Sequence, residues 1–179
     1  VVYHSRLYVT KDFGKSVSTV YDEAGMGECG YYDEPFSEIE WDIVADSTKT
    51  ILDYQCIMAT TDYHGRKWTV WFTPEIPMQD GPWKLCGLPG LVMEASEAAQ
   101  QHSFSVSGIE TSSQSIYPVF STKYENMNRL DMLRAERYYR ENSNAMFKAA
   151  TGYELGGGVD APVTEERRKY DFLETDYHE

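Results

Sequence analysis

Between Trp68 and Glu94 the chain places four of its seven prolines, Pro74, Pro77, Pro82 and Pro89, among Gly81, Gly87 and Gly90. Each proline fixes its own φ, lacks an N–H and pushes the preceding residue out of the helical region. No helix runs through such a stretch and no central strand holds it, so it must cross between two strands as a braced connection. Pro74 and Pro77 end the strand before it. Asp80-Gly81-Pro82 turns the chain and lets Trp83 and Leu85 return inward. Leu88-Pro89-Gly90 makes a second turn, with proline preset and glycine free for positive φ. Such a crossing either lines a ligand cleft or closes one end of a curved sheet. Its apolar residues outnumber its chemically active ones, which favours closure.

The flanking segments read as strands. Trp68, Val70 and Phe72 fall on one face of a strand while Lys67, Thr69 and Trp71 fall on the other. His64-Gly65, between Tyr63 and Arg66, is a two-residue hairpin turn with glycine available for positive φ. Strands are also expected over Val2 to Thr10, Lys15 to Tyr21, Ile39 to Ala45, Thr50 to Thr61, Leu91 to Ala95 and Ser103 to Ile109, with an edge strand from Ser115 to Phe120 where Pro118 is tolerated. The segment Asp22 to Pro35, DEAGMGECGYYDEP, shows no period and is expected as a mobile surface loop. From Asn126 to Ala150 the composition turns to Leu, Arg, Glu, Met and Ala without proline, which predicts one broken helix or two short ones, with Ser143 able to cap the second piece and Gly152 the C-cap. Beyond Gly156-Gly157-Gly158 the tail is polar, and only Tyr170 to Leu173 has the character to dock.

Tyr and Trp number 14 and 4, and these amphipathic rings suit half-buried pleated surfaces. The predicted fold is mainly β, a β-rich α+β domain. It is either a curved antiparallel sheet of roughly seven to nine strands or an open half-barrel, with a C-terminal helix packed on it. Residues 1–155 form this single domain and residues 156–179 a flexible C-terminal tail.

A formal charge of -13 repels phosphate backbones and anionic lipid heads, so nucleic acid is not an expected partner. The same charge is explained without any site by solubility. No segment approaches the roughly 20 apolar residues of a membrane-spanning helix.

Chemical motifs are sparse. There is no G-x-S-x-G, H-E-x-x-H, calcium loop or glycine-rich phosphate loop, so no catalytic residue, metal or cofactor is assigned. His64 in a turn and His102 in a loop are expected to be solvated, as are the acids Asp33, Glu34, Glu38, Glu40 and Asp42. Glu75 and Asp80, flanking the braced segment, are the one carboxylate pair left as catalytic candidates. Cys29, Cys56 and Cys86 lack zinc spacing and leave either reduced thiols or one disulfide with a thiol to spare. Cys56 with Cys86 would close a loop of about 30 residues, a stabilisation of about 3.5 kcal/mol in the chain-entropy model.

The run WTVWFTPEIPMQDGPWKLCGLPGLVMEA, Trp68 to Ala95, resembles the GLPGLI family of exported Bacteroidetes proteins. The signature hexapeptide is Gly87-Leu88-Pro89-Gly90-Leu91-Val92 here, with Val in place of the final Ile. The Gly-Arg of the preceding turn, the WF-T-P-E-I-P run and D-G-P-W-K resemble the family in the same order. The similarity covers roughly Tyr54 to Ile109. It implies an extracytoplasmic protein, periplasmic or outer-membrane associated, with its signal peptide removed. It carries no established activity and no catalytic residues. The oxidising setting it implies favours the Cys56 to Cys86 disulfide.

The expected function is non-enzymatic: a cell-envelope binding or chaperone-like protein with an aromatic groove lined by Trp68, Trp71, Trp83, Phe72 and Leu88. Its ligand would be apolar, a lipid or a peptide. One alternative is an interaction module serving an outer-membrane receptor or secretion system, through the loop Asp22 to Pro35 and the charged tail. The other is an unrecognised enzyme, which would require convergent titratable groups with shifted pKa values.

Overall fold

The computed structural model describes residues 7–25, 28–115, 123–153 and 172–178. Nine strands occur among them, β1 (Tyr8–Asp12), β2 (Val17–Gly25), β3 (Glu28–Pro35), β4 (Asp42–Ile51), β5 (Tyr54–Tyr63), β6 (Arg66–Thr73), β7 (Leu91–Glu97), β8 (Ser103–Ser105) and β9 (Glu125–Asn126), followed by the helix α1 (Arg129–Thr151). The fold is mainly β. The strands form two open sheets rather than one, in the orders β1-β2-β3-β9 and β4-β5-β6-β7-β8. No helix among the described residues is long and apolar enough to cross a membrane. The expected edge strand from Ser115 to Phe120 lies outside the described residues apart from Ser115, as does the tail from 154 to 171.

The chain divides into two compact units, one comprising residues 1–8, 20–32 and 120–172, the other residues 9–19, 33–119 and 173–179. In the first, β3 runs parallel to β9, with Gly30 opposite Glu125 and Tyr31 opposite Asn126. The Tyr21 ring packs against Tyr31 and Tyr124 at 5.7 and 5.3 Å between centroids. Helix α1 starts at Asn128, whose side chain accepts from the Leu130 and Asp131 N–H groups, and stops at left-handed Gly152. It is kinked at Asn142, where the backbone leaves helical geometry and the side-chain amide donates to the Tyr138 carbonyl, so the predicted break is present. Met132 and Leu133 are buried, and the Met127 and Met132 sulfurs close over Gly30 of β3.

The loop expected from Asp22 to Pro35 is instead strand on both sides of residues 26 and 27. Gly30, Tyr32 and Glu34 are buried while Asp33 and Pro35 are exposed. That is an alternation of period two, hidden in sequence because two of its three inward residues are a glycine and a glutamate.

The second unit holds the antiparallel five-stranded sheet and the braced crossing. β5 and β6 pair from Ile57 opposite Phe72 to Tyr63 opposite Arg66 around the His64-Gly65 turn, whose two residues have φ of 50° and 78°. This is the predicted hairpin. A second two-residue turn, Leu52-Asp53, also takes positive φ at both positions and splits what reads in sequence as one strand from Thr50 to Thr61. The core occupies one face of the sheet: Ala59 and Tyr63 from β5, Trp68, Val70 and Phe72 from β6, Val92 and Ala95 from β7. Leu85, Cys86 and Leu88 of the crossing close over it, each at most 1% exposed.

Glycine decides the path of the crossing at one point. A Cβ on Gly90 would collide with the Thr73 carbonyl, so the hexapeptide passes directly over the end of β6. Positive φ falls on Gly87 (90°), not Gly90.

No disulfide joins the three cysteines. This corrects the expected Cys56 to Cys86 disulfide, and strand parity gives the reason. On β5 the core face carries residues 57, 59, 61 and 63, so Cys56 points to the opposite face, where it pairs across from Lys49. Cys86 lies within the core. The sheet stands between the two sulfurs.

Candidate functional site

The five groove candidates do not share a surface. Trp68, Phe72 and Leu88 are core residues with at most 2% exposure. Trp83 packs on Trp68 at 5.7 Å between centroids. Trp71 lies on the other face of the sheet, where Lys49 sits 4.5 Å over its ring and pairs with Glu94. The carboxylate candidates are apart in role too. Glu75 accepts the Gln55 backbone N–H at 2.7 Å, and Asp80 accepts from Lys11 Nζ at 2.7 Å.

A cleft of about 520 Å³ does lie beside the crossing. Asp80, Gly81 and Pro82 form one wall, and residues 91–93 of β7 and 103–106 in and beyond β8, among them Leu91, Phe104 and Val106, line the rest. β8 is a three-residue edge strand pairing on one side with β7, at Ala95 opposite Phe104.

The chemically dense part of the unit is elsewhere, at the tip of the β5–β6 hairpin. Lys84, between Trp83 and Leu85 of the crossing, has a fully buried side chain. Its ammonium bonds Glu34 Oε2 and lies 2.7 Å from Glu174 Oε1. The rings of Tyr63 and Trp83 lie 5.5 and 5.0 Å from the same nitrogen, close enough for cation–π attraction. His64, with 8% of its side chain exposed, places Nε2 2.7 Å from Glu34 Oε1 and Nδ1 3.2 Å from Asp176 Oδ2. The two imidazole nitrogens thus address different parts of the chain.

These positions correct two expectations. His64 is buried and not solvated, because its positive-φ turn is covered by residues 173–178. Glu34 is buried and not at a solvated strand edge, because it is the inward residue of β3. No motif spacing reveals the cluster, since its members come from β3, the hairpin turn, the crossing and the tail. The available signal was a lone Lys in the apolar run Trp83 to Leu88, which must bring a counter-charge with it if that run is core.

Burial alone would raise the Glu34 pKa, but the His64 hydrogen bond and the Lys84 charge outweigh it and hold the carboxyl below the usual range. Burial, then the charges of Glu34 and Glu174, push the Tyr63 phenol far up, so it stays protonated. Ligand atoms of His64, Glu174 and Asp176, and likewise of Glu34, Glu38 and His64, lie within 4.8 Å of one another, a His–carboxylate grouping of the type that holds a cation. Here the Lys84 ammonium is the cation seated between Glu34 and Glu174.

The tail segment completes the cluster. Thr175 donates its N–H to the His64 carbonyl at 3.0 Å and its hydroxyl to the Gly65 carbonyl at 3.1 Å. A Cβ on Gly65 would collide with the Thr175 hydroxyl, so this glycine serves both the turn and the close approach of the tail. Leu173 packs on the core cluster and Tyr177 is buried.

A family model described as a protein of unknown function (Porph_ging) matches residues 63–94. That span contains both basic members of the cluster, His64 and Lys84, and none of Glu34, Glu174 or Asp176. No curated protein matches the chain. Two solved structures of PNGF-II, in space groups C2 and P21, are similar to it with TM-scores of 0.54, at 14% and 15% identity over 78% and 76% of this chain. The chain spans about a quarter of each of those chains, 26% in both cases. At that identity the likeness is one of fold alone.

Proposed function

We propose that the chain is a non-enzymatic binding or chaperone-like protein of the cell envelope, of GLPGLI type, that takes an apolar, lipid or peptide ligand in the cleft beside its braced crossing. The observation that carries this reading is the cleft itself. A rigid wall of Asp80, Gly81 and Pro82 faces the apolar side chains of Leu91, Phe104 and Val106, a combination suited to a preformed ligand site. The groove-forming part is thus the β7–β8 edge of the sheet, with Trp68, Phe72 and Leu88 as its support. In this reading residues 1–155 act as the binding domain and residues 156–179 as its tail. The extracytoplasmic location rests on the resemblance of the signature run.

A polarity-sensitive dye such as anilinonaphthalene sulfonate tests it. Saturable enhancement is expected with the native protein, competed by a fatty acid or an apolar peptide according to the ligand class. Phe104→Asp should abolish it, and Trp71→Ala on the other face should leave it intact. Dye binding that does not saturate, or that survives Phe104→Asp unchanged, sinks the reading.

The interaction-module reading draws support from one observation, that this fold occupies a quarter of each PNGF-II chain. A domain found inside longer chains suits a role as an accessory to a larger assembly. A pull-down from envelope extract that recovers no partner would count against it.

A further inference from the structure

We infer that the pocket formed by His64, Lys84 and the Tyr63 and Trp83 rings is a receptor site for an extended acidic peptide, occupied here by the chain's own Leu-Glu-Thr-Asp-Tyr segment, Leu173 to Tyr177, as an exchangeable resident. This site is separate from the β7–β8 cleft and stands independently of the function proposed for it.

Four features make the segment a bound ligand rather than a strand of the fold. Leu173 to Thr175 belong to no strand, and Asp176–His178 is a single 3-10 turn, so no sheet ladder holds them. The hold is instead by recognition of alternate groups. Glu174 meets Lys84 at 2.7 Å and lies 3.9 Å from His64 Nε2, and Asp176 meets His64 Nδ1 at 3.2 Å, so both acids are held by basic side chains of the pocket. The intervening Thr175 reads two carbonyls of the hairpin turn, His64 and Gly65, through its N–H and hydroxyl. Leu173 and Tyr177 flank this Glu-Thr-Asp core as apolar anchors, one packed on the core cluster and the other buried.

The frame of the pocket comes from other parts of the fold. Gly65 leaves the room that Thr175 fills, and the turn carbonyls are fixed by the β5–β6 ladder. Lys84 keeps Glu34 as a partner when Glu174 leaves, so departure of the tail does not strand an uncompensated ammonium. The ligand chemistry is therefore an extended chain with two carboxylates separated by one residue that carries a small hydrogen-bonding side chain, flanked by apolar groups. A second copy of this tail satisfies it, as does any peptide of that pattern.

The test uses a fluorescent peptide of residues 173–179 and follows its polarisation. A tethered segment competes at an effective concentration on the order of millimolar. Wild-type protein should therefore bind micromolar peptide weakly, because only the fraction of sites with the tail released is competent. Two forms of the full chain remove that competition. One carries Glu174→Gln with Asp176→Asn. The other carries a protease site in place of Gly156-Gly157-Gly158 and is nicked after folding. Each should bind the peptide at least about tenfold more tightly than wild type, since the occupied fraction no longer divides the affinity. The same peptide with Gln and Asn for its two acids should not bind, and Gly65→Ala in the nicked form should weaken binding by a similar factor. Equal binding of the acidic and amide peptides overturns the inference. So does a nicked protein that never exchanges its tail, or that unfolds on losing it, since either makes the segment a permanent part of the fold.

Discussion

The ammonium of Lys84 lies 2.7 Å from Oε1 of Glu174 and bonds Glu34 as well, with none of its side chain open to solvent. An ammonium in that position is tolerable only while at least one of its carboxylates remains, and the two carboxylates together only while it does. Lys84→Met should therefore leave two buried carboxylates facing each other. A loss of about 3–5 kcal/mol is expected, the usual cost of removing one member of a buried ion pair. For a chain of this size that lowers the melting temperature by about 10 °C. Adding Glu34→Gln and Glu174→Gln to Lys84→Met should recover much of the loss, because the buried charge is then gone on both sides. Denaturant melts of the three proteins check this, and a Lys84→Met variant as stable as wild type would contradict the geometry.

Acid should unfold the protein through two glutamates. Glu34 is held low by His64 and Lys84 against the opposing effect of burial. Glu97 is likewise held low, its burial outweighed by the N–H groups of Ala99, Gln101 and His102 and by the Arg66 charge. Each folded-state pKa lies below the unfolded one, near 4.5. Their contribution is therefore complete above about pH 4.5 and is lost as pH falls through the lowered folded values. Melting temperature measured from pH 7 to pH 3 should be flat at first and then fall below that point. Glu97→Gln should be destabilised at pH 7 and show a shallower acid slope. A melting temperature that rises on acidification below pH 4.5 would refute the assignment.

All three cysteines should titrate with Ellman's reagent in denaturant without prior reduction, since no disulfide joins them. In the native protein Cys56 and Cys86 should react slowly, because burial raises both thiol pKa values and shields both sulfurs. Half-buried Cys29 should react first. A count of one thiol in denaturant would mean that two had paired.

Residues that obey a local rule were legible in the sequence. The alternation of Trp68, Val70 and Phe72, the His64-Gly65 turn and the prolines of the crossing each act within a few residues, and the structure places all three as their chemistry requires. Turn Leu52-Asp53 was not legible, since neither residue advertises the positive φ it adopts. β3 was hidden because an inward glycine and an inward glutamate look like loop. The ion cluster was hidden for a deeper reason. A charged residue in sequence is assigned to solvent by default, and Glu34, His64, Lys84 and Glu174 are exceptions only because the fold brings them together. Their distances depend on tertiary structure, which no spacing rule encodes.

The hexapeptide offers a direct comparison of two glycines with different duties. Gly87 has φ of 90°, and the nearest atom a Cβ would meet is Trp41 Nε1 at 4.0 Å, so its demand is conformational. Gly90 has no such backbone constraint, but a Cβ there would run into the Thr73 carbonyl and Pro74 nitrogen, so its demand is steric and falls on backbone that cannot move aside. Gly87→Ala should cost about 1 kcal/mol, the penalty for placing an L-residue in the left-handed region. Gly87→Asn should cost less than Gly87→Ala, because asparagine enters that region more readily. At position 90 the order reverses. Gly90→Ala should cost more than Gly87→Ala, and Gly90→Asn more again, since the larger side chain adds bulk where there is none to spare and its tolerance of positive φ gains nothing. Chemical denaturation of the four variants reads out the ranking. Equal costs at the two positions, or a rescue by asparagine at position 90, would show that the crossing is not seated on the end of β6 as its backbone contacts indicate.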